Sequence, residues 1–198
     1  MRPTASTEAY LRRLPEGLES YEGHLVKMSV VRAWVEGHSL AALREALPQP
    51  LVPGELLERP VTAWVPEVHA TVVYLTMRDL FFDDDDAYVE AAYAKNSKLL
   101  RGPLYRVLTT LFSWQRISSL GGSVFARMHR GIESTAEVVG DRGLRWRLDY
   151  PEHLVPPLIG RCYVTALVAA LEAGGLGTVH VEIEANTPTH LSATVFRA

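Results

Sequence analysis

The clearest pattern in the chain is an apolar stripe at helical spacing in the last third of the sequence. Its members recur at i, i+3, i+4, i+7, i+8, i+11 and i+12: Ile159, Cys162, Tyr163, Ala166, Leu167, Ala170 and Leu171. This spacing predicts an amphipathic helix from Pro157 to Ala173. Pro156 and Pro157 suit its first turn, where a missing N–H removes no hydrogen bond, and Gly174 and Gly175 suit a left-handed end.

Apolar and polar residues alternate on both sides of this helix, which predicts two β-hairpins. Turns rich in Gly, Asp, Asn or Pro separate the strands of each pair, at 140–143 and 186–189. The predicted strands are 132–138, 144–149, 179–184 and 191–195. Hairpin, helix and hairpin together predict a four-stranded antiparallel sheet with one apolar face. Because that face must be covered, we expect an N-terminal helical layer packed on it and an α+β fold.

The N-terminal part carries strong helix signals. Residues 1–22 are polar and interrupted by Pro and Gly, so we expect a flexible N-terminal segment, followed by a single α+β domain over 23–198. The stretch from Pro66 to Phe82 is apolar almost all round, as is typical of a buried helix. Asp83–Asp86 then places four carboxylates at the positive end of the next helix dipole. A calcium loop is not indicated, because the glycine and the bidentate glutamate that an EF-hand requires are missing.

Composition excludes several classes of function. The net charge of −3 gives no general attraction to nucleic acid or to membrane surfaces. No run of apolar residues is long enough to predict insertion into a membrane. The single cysteine, Cys162, permits no intrachain disulfide, which fits a reducing compartment. The N-terminus has no apolar targeting segment, so we predict a cytoplasmic protein.

No constellation for catalysis or metal binding emerges from residue spacing. Gly121-Gly122-Ser123 lacks the spacing of a nucleophile elbow. Cys162 lies on the apolar stripe, which favours a core residue over a nucleophile. The seven histidines contain no His-x-x-x-His pair, so no metal site is predicted. A catalytic role therefore ranks third among the functions considered, and no catalytic residue is predicted.

One local charge feature points to a partner. Between Lys95 and Arg130 the chain has seven Lys and Arg residues and no Asp or Glu. This excess predicts a possible surface for an anion or an acidic partner, carried by Arg101, Arg106 and Arg116. The alternative is that these arginines pair with acidic residues elsewhere in the fold.

Several helix starts and glycines resemble those of known proteins. The order of hairpin, helix and hairpin is similar to the ligand-binding fold of vinyl-reductase-type domains, haem-dependent nitric-oxide sensors and TRAPP subunits. More specifically, the chain resembles a myxobacterial paralogous family of unknown function whose members have about this length. The resemblance covers residues 25–197. The segments that carry it are Ala63-Trp64-Val65-Pro66, Gly102-Pro103-Leu104-Tyr105-Arg106, Ile159-Gly160 and Leu171-Glu172-Ala173-Gly174-Gly175.

The resemblance implies a cofactor only where the functional residues of those proteins are present. Vinyl-reductase-type domains carry cysteines around the last hairpin, where this chain has Ala185–Pro188. Haem sensors of this fold place an axial histidine in the helix before the first strand, where this chain has Ser118–Gly122, and His129 lies too close to the strand to match. Their Tyr-x-Ser-x-Arg propionate motif is absent. We therefore predict no cofactor and expect haem to be disfavoured.

Two functions remain as hypotheses. The first is a non-enzymatic sensor or carrier that holds an apolar small molecule between the helices and the sheet. The aromatic residues expected to line its pocket are Tyr74, Tyr105, Phe112, Trp114 and Trp146. The same side chains can equally fill an ordinary core. The alternative is a dimeric protein-interaction adaptor that resembles TRAPP subunits and binds no ligand.

Overall fold

Helices and two antiparallel sheets make up the structure, so the predicted α+β class is confirmed. The structure is a computed structural model that describes residues 4–49, 51, 58–102, 125–140 and 143–198. Its helices, numbered over those residues, are α1 (Ala5–Leu11), α2 (Met28–Val35), α3 (Leu40–Ala46), α4 (Glu67–Phe81), α5 (Asp85–Arg101) and α6 (Pro157–Ala173). The strands are β1 (Leu25–Lys27), β2 (Trp64–Pro66), β3 (His129–Arg130), β4 (Glu133–Val139), β5 (Gly143–Asp149), β6 (Val179–Asn186) and β7 (His190–Arg197).

The N-terminal half uses one local arrangement twice, a short strand that runs directly into a helix. β1 continues as α2 and β2 continues as α4. The two strands pair antiparallel, with Val26 opposite Val65, and β3 joins the other edge of β1, with His129 opposite Val26. This three-stranded sheet was not predicted, because strands of two or three residues are too short to show alternation. It brings the starts of two helices and the segment before β4 to one place.

The second sheet contains the two predicted hairpins. Its strand order is β4-β5-β7-β6, so β7 pairs with β5 in the middle and β6 lies at an edge. Apolar side chains of the two central strands share one face: Leu144, Trp146, Leu148, Leu191, Ala193 and Val195. On the opposite face Arg145 bonds to Glu137 at 3.0 Å and to Glu184 at 3.1 Å, as cross-strand charge alternation favours.

Helix α6 contacts two different layers. Leu167 and Leu171 pack on the sheet with Leu144 and Val195, whereas Ala169 packs against Leu100 of α5. The sequence predicts a single buried stripe, but a second contact face exists because α5 covers the side of α6 that faces away from the sheet. Small alanines on that side let the two helices approach closely.

Helix α4 is the most buried helix of the N-terminal half, and other helices are anchored to it. The backbone N–H and the hydroxyl of Ser6 in α1 donate to the Asp79 carboxylate at 2.9 and 2.7 Å. Asp84 caps the next helix, α5, by accepting from the N–H of Ala87 at 2.8 Å, which is the helix-start role its position predicts. These contacts fix α1 in place on α4, while flexibility of residues 1–22 stays a prediction.

None of the helices within the described ranges combines the length and hydropathy needed to cross a bilayer.

Gly131 and Gly175 have almost the same φ angle but different surroundings. Substituting each by alanine therefore distinguishes the cost of the left-handed backbone from the cost of a steric clash. Gly131, between β3 and β4, has φ of +84°, and a Cβ there would lie 2.9 Å from the carbonyl oxygen of Gly23. Gly175 has φ of +83° with open space around it. We expect Gly175→Ala to lower the free energy of unfolding by about 1 kcal/mol, from the left-handed conformation alone. Gly131→Ala should cost about 2 to 3 kcal/mol, because the backbone must also move.

Urea unfolding followed by circular dichroism measures both variants. Equal losses for the two would contradict the close approach of the 23–24 segment to Gly131.

Candidate functional site

A fully buried carboxylate lies where the two halves of the chain meet. Glu67 is the first residue of α4 and is 0% exposed. It is buried because β2 enters α4 without a loop, and the N–H of Glu67 still bonds to the carbonyl of His24 at 2.8 Å. A carboxylate removed from water is costly unless both of its oxygens find partners. The residues around Glu67 supply those partners.

Two side chains from distant parts of the chain bind the Glu67 carboxylate. The hydroxyl of Tyr163 in α6 donates a short hydrogen bond to Oε1, and Nδ1 of His129 in β3 lies 3.2 Å from Oε2. Burial and the neighbouring carboxylate raise the pKa of Tyr163 well above its ordinary value, so its hydroxyl stays protonated and remains a donor. We refer to Glu67, His129 and Tyr163 as the carboxylate cluster.

The ring of His129 is fixed on several sides. Phe125 stacks on it with centroids 4.4 Å apart and planes 12° apart, and the ring of Tyr163 meets it at 71° with centroids 5.2 Å apart. His129 is 5% exposed. With Nδ1 turned to a carboxylate, the orientation of the imidazole is set and Nε2 is the nitrogen left for another partner. Histidines that bind a metal use the same arrangement, in which a carboxylate holds the second ring nitrogen.

A second polar group lies two helical turns along α4 from Glu67. The hydroxyl of Tyr74 is buried and, among the described residues, has no hydrogen-bond partner. Burial raises the pKa of Tyr74 well above its ordinary value, with Glu67 and Cys162 adding to the effect. A buried hydroxyl without a partner costs about 1 to 3 kcal/mol, so it is a natural attachment point for a polar atom of a ligand or a water.

The predicted pocket residues are only partly brought together. Tyr74 packs against Trp34 with ring centroids 5.5 Å apart, whereas Trp146 lies on β5 and donates from its indole to Ser134 at 3.0 Å. Trp146 approaches the carboxylate cluster through Phe125, whose ring centroid is 6.0 Å away. The other three predicted residues, Tyr105, Phe112 and Trp114, lie outside the described residues. An aromatic pocket made by all five stays a prediction.

The predicted anion or partner surface also falls largely outside the described residues. Arg101 is the last residue of α5 and is exposed, which suits a binding role as well as it suits a helix C-terminus. Arg106 and Arg116 lie in the part of the chain that the structure does not describe. The surface therefore stays a prediction.

Sequence reasoning did not single out the carboxylate cluster. Glu67 is the first residue of an apolar helix whose other acidic residue is Asp79, and Tyr163 is a member of the apolar stripe. The position of His129 does not match the axial histidine of haem sensors. The position of Glu67 at the start of an apolar run is a signal that could have found the cluster. A carboxylate inside an otherwise apolar run must be either exposed or paired, and here it is paired.

Comparison with known proteins identifies the fold. No protein-family model matches the chain, and no curated protein matches it. An oxygen-binding H-NOX domain related to soluble guanylate cyclases, solved as its oxygen complex, gives a TM-score of 0.51 at 7% identity, over 85% of this chain and 90% of that chain. The chain has the H-NOX fold. A structure that probes haem distortion in the H-NOX family gives 0.51 at 9% identity, with coverages of 85% and 91%. One concerned with H-NOX activation gives 0.51 at 8%, with coverages of 85% and 92%.

These neighbours confirm part of the resemblance and correct another part. The predicted relation to the fold of haem-dependent nitric-oxide sensors is confirmed at the level of fold, whereas membership of the myxobacterial family stays a prediction. The expectation that haem is disfavoured is wrong, because the solved structures that share this fold are H-NOX domains, a haem-binding class. The expectation rested on the absence of the axial-histidine position and of the Tyr-x-Ser-x-Arg motif. The fold is shared at only 7 to 9% identity, so short motifs are a poor guide at this distance.

The hydroxyl of Tyr163 provides a direct test of the carboxylate cluster. Tyr163→Phe removes one of the two donors to a buried carboxylate and should lower the free energy of unfolding by about 2 kcal/mol, the usual range for a hydrogen bond to a charged group. The matched control is Tyr150→Phe, whose hydroxyl donates to the Thr187 carbonyl at 3.2 Å in a half-buried position. The control should lose about 1 kcal/mol or less. A loss for Tyr163→Phe no greater than the control would contradict the cluster.

Cys162 gives a second, chemical test of the same region. Burial raises the pKa of the Cys162 thiol to about 12, so almost no thiolate exists at pH 8. We expect alkylation by iodoacetamide at pH 8 to be at least about 100-fold slower in the folded protein than in urea, where a cysteine has its ordinary pKa. Mass spectrometry of quenched samples gives both rates. Equal rates would show that the surroundings of Cys162 open to solvent.

Proposed function

We propose that this chain is a sensor or carrier domain that binds a small molecule where α4, β3 and α6 meet, and that haem is the ligand to test first. The observation that carries the proposal is the imidazole of His129, fixed by Glu67 through one nitrogen and offering the other. The H-NOX fold supports it, because solved structures of this fold include an oxygen-binding H-NOX domain.

The described residues fit one essential part of a haem site. A residue that would hold haem iron must present a ring nitrogen in a fixed direction, and the contact of His129 Nδ1 with Glu67 fixes the imidazole. Phe125, Trp146 and Tyr163 add aromatic surface beside the imidazole, as an apolar macrocycle needs. Two exposed cations, Arg127 and Arg130, flank His129 along the chain. The guanidinium of Arg130 lies 4.0 Å from the centroid of the Trp64 ring, so Arg127 is the better candidate to bind a carboxylate group of a ligand.

Each residue then has a stated task. His129 would hold the iron from one side, and Glu67 would keep the imidazole in one orientation and increase its basicity. Tyr163, through its hydrogen bond, would hold Glu67 in place. A haem iron bound by a single imidazole supplies an open position for a small ligand such as oxygen.

An apolar molecule without iron is the second candidate for the same place. The aromatic rings around His129 favour it, because they offer apolar surface. The buried hydroxyl of Tyr74, which has no hydrogen-bond partner among the described residues, could bind one polar atom of a ligand. The dimeric adaptor without ligand stays a sequence-based prediction.

Titration of the purified protein with hemin tests the proposal. We expect saturable one-to-one binding with a Soret band distinct from that of free hemin, and at least tenfold weaker binding for His129→Ala with recovery on addition of free imidazole. His180→Ala, which removes an exposed histidine on the outer face of the second sheet, is the matched control and should bind as the wild type does. Glu67→Gln keeps the shape of the side chain and should shift the Soret band or the affinity.

Two results would overturn the haem assignment. One is the absence of saturable binding, and the other is identical affinity and spectra for wild type and His129→Ala, with circular dichroism showing both folded. Native mass spectrometry before and after denaturation then separates the second candidate from the first. A co-purifying organic molecule lost on denaturation supports the apolar ligand.

A further inference from the structure

Strand β6 forms an edge of the second sheet, and among the described strands only β7 pairs with it. Its residues alternate between apolar and polar: Val179, His180, Val181, Glu182 and Ile183. A β-bulge between Ile183 and Ala185 then interrupts the regular ladder. An edge strand exposes unpaired backbone groups, so its regular part, 179–183, is the portion available to another strand.

The hydrogen-bond phase of the ladder shows which backbone groups face outward. The N–H of Ala198 bonds to the carbonyl of Thr178 at 3.0 Å, and the pairing register places those two residues opposite each other. In an antiparallel pair, bonded and non-bonded positions alternate. His180 and Glu182 therefore direct their backbone groups toward β7, whereas Val179, Val181 and Ile183 direct their N–H and C=O groups outward.

Two of these residues, Val181 and Ile183, also present apolar side chains at the edge, whereas Val179 is buried. Val181 lies opposite Val195 and Ile183 opposite Ala193, so they share the face that α6 covers over the central strands. The helix does not cover the edge, and Val181 and Ile183 are each 40% exposed. Outward backbone groups and exposed apolar side chains thus coincide on one short segment, as in interfaces formed by strand addition.

We propose that a second copy of this chain pairs with this edge, β6 against β6, in an antiparallel two-fold arrangement. A two-fold axis fixes the possible registers, because only the residues with outward backbone groups can bond across it. With Val181 opposite the partner's Val181, His180 lies opposite the partner's Glu182, and this pair occurs twice. The imidazole has an N–H to donate to a carboxylate in either protonation state.

The alternative registers place like side chains together. Centring on Glu182 faces it with the partner's Glu182, and centring on Ile183 faces Glu182 with the partner's Glu184. Centring on His180 faces it with the partner's His180. Like charges directly opposite are destabilising in a sheet. The other edge, β4, has Glu133, Thr135 and Glu137 on its outer face and no cation to pair with them across a two-fold axis. Charge complementarity therefore favours β6 over β4 and, among the registers centred on residues 180 to 183, selects the one centred on Val181.

A matched pair of substitutions tests which edge is used. Val181→Lys places a charge on the β6 edge, and Val138→Lys places one on the β4 edge, on the same face and at 41% exposure. Sedimentation equilibrium from 1 to 100 µM should show a wild-type dimer, at least tenfold weaker association for Val181→Lys, and no change for Val138→Lys. A monomeric wild type over this range, or equal effects of the two variants, would overturn the proposal.

A charge swap tests the register. Glu182→Lys and His180→Glu should each weaken the dimer several-fold, because each places like charges or unmatched groups opposite one another. The double variant, His180→Glu with Glu182→Lys, restores an opposite-charge pair in the register centred on Val181. In the register centred on Ile183 the single variant Glu182→Lys already faces the partner's Glu184, so there that single variant alone should strengthen the dimer. Association of the double variant no stronger than that of either single variant would rule out the register centred on Val181. Circular dichroism of each variant shows whether the chain remains folded.

Discussion

The structure depends on the hydrogen bonds that the buried carboxyl group of Glu67 makes with its neighbours. Glu67 begins the central helix of the N-terminal half, and its two partners come from a strand before the first hairpin and from the helix between the hairpins. Each partner contacts one oxygen, so the loss of either leaves a buried oxygen of Glu67 without a hydrogen bond. Hydrophobic packing alone tolerates sliding between layers, whereas this cluster specifies how the helices and the second sheet are placed against each other.

The cluster lies where the two halves of the chain meet. Its members come from α4, β3 and α6, so one buried polar network links helices of both halves with the small sheet. The chain shares the H-NOX fold with solved structures at 7 to 9% identity, so the fold is common to them although the sequences differ almost throughout.

Much of the fold could be predicted from local sequence, and the reasons are specific. The helix Pro157–Ala173 has the bounds that its prolines, stripe and glycines indicate, and the four long strands appear where alternation places them. The small sheet could not be predicted, because its strands of two or three residues are defined by pairing with distant segments. The site was missed for the same reason. Whether Glu67 is exposed or buried depends on β1 and β3, which lie far from it in sequence, and no local pattern encodes that.

The strand order of the second sheet has a kinetic consequence. Each hairpin joins neighbours in sequence and can form quickly, but the central pairing of β5 with β7 joins Asp149 to His190 and Gly143 to Phe196. That pairing requires closure of a long loop that contains α6, so it carries most of the loop entropy of the C-terminal half. The transition state for folding is therefore expected to contain α6 docked on a nascent β5–β7 pair. The two outer strands, which pair on one side only, should complete the sheet afterwards.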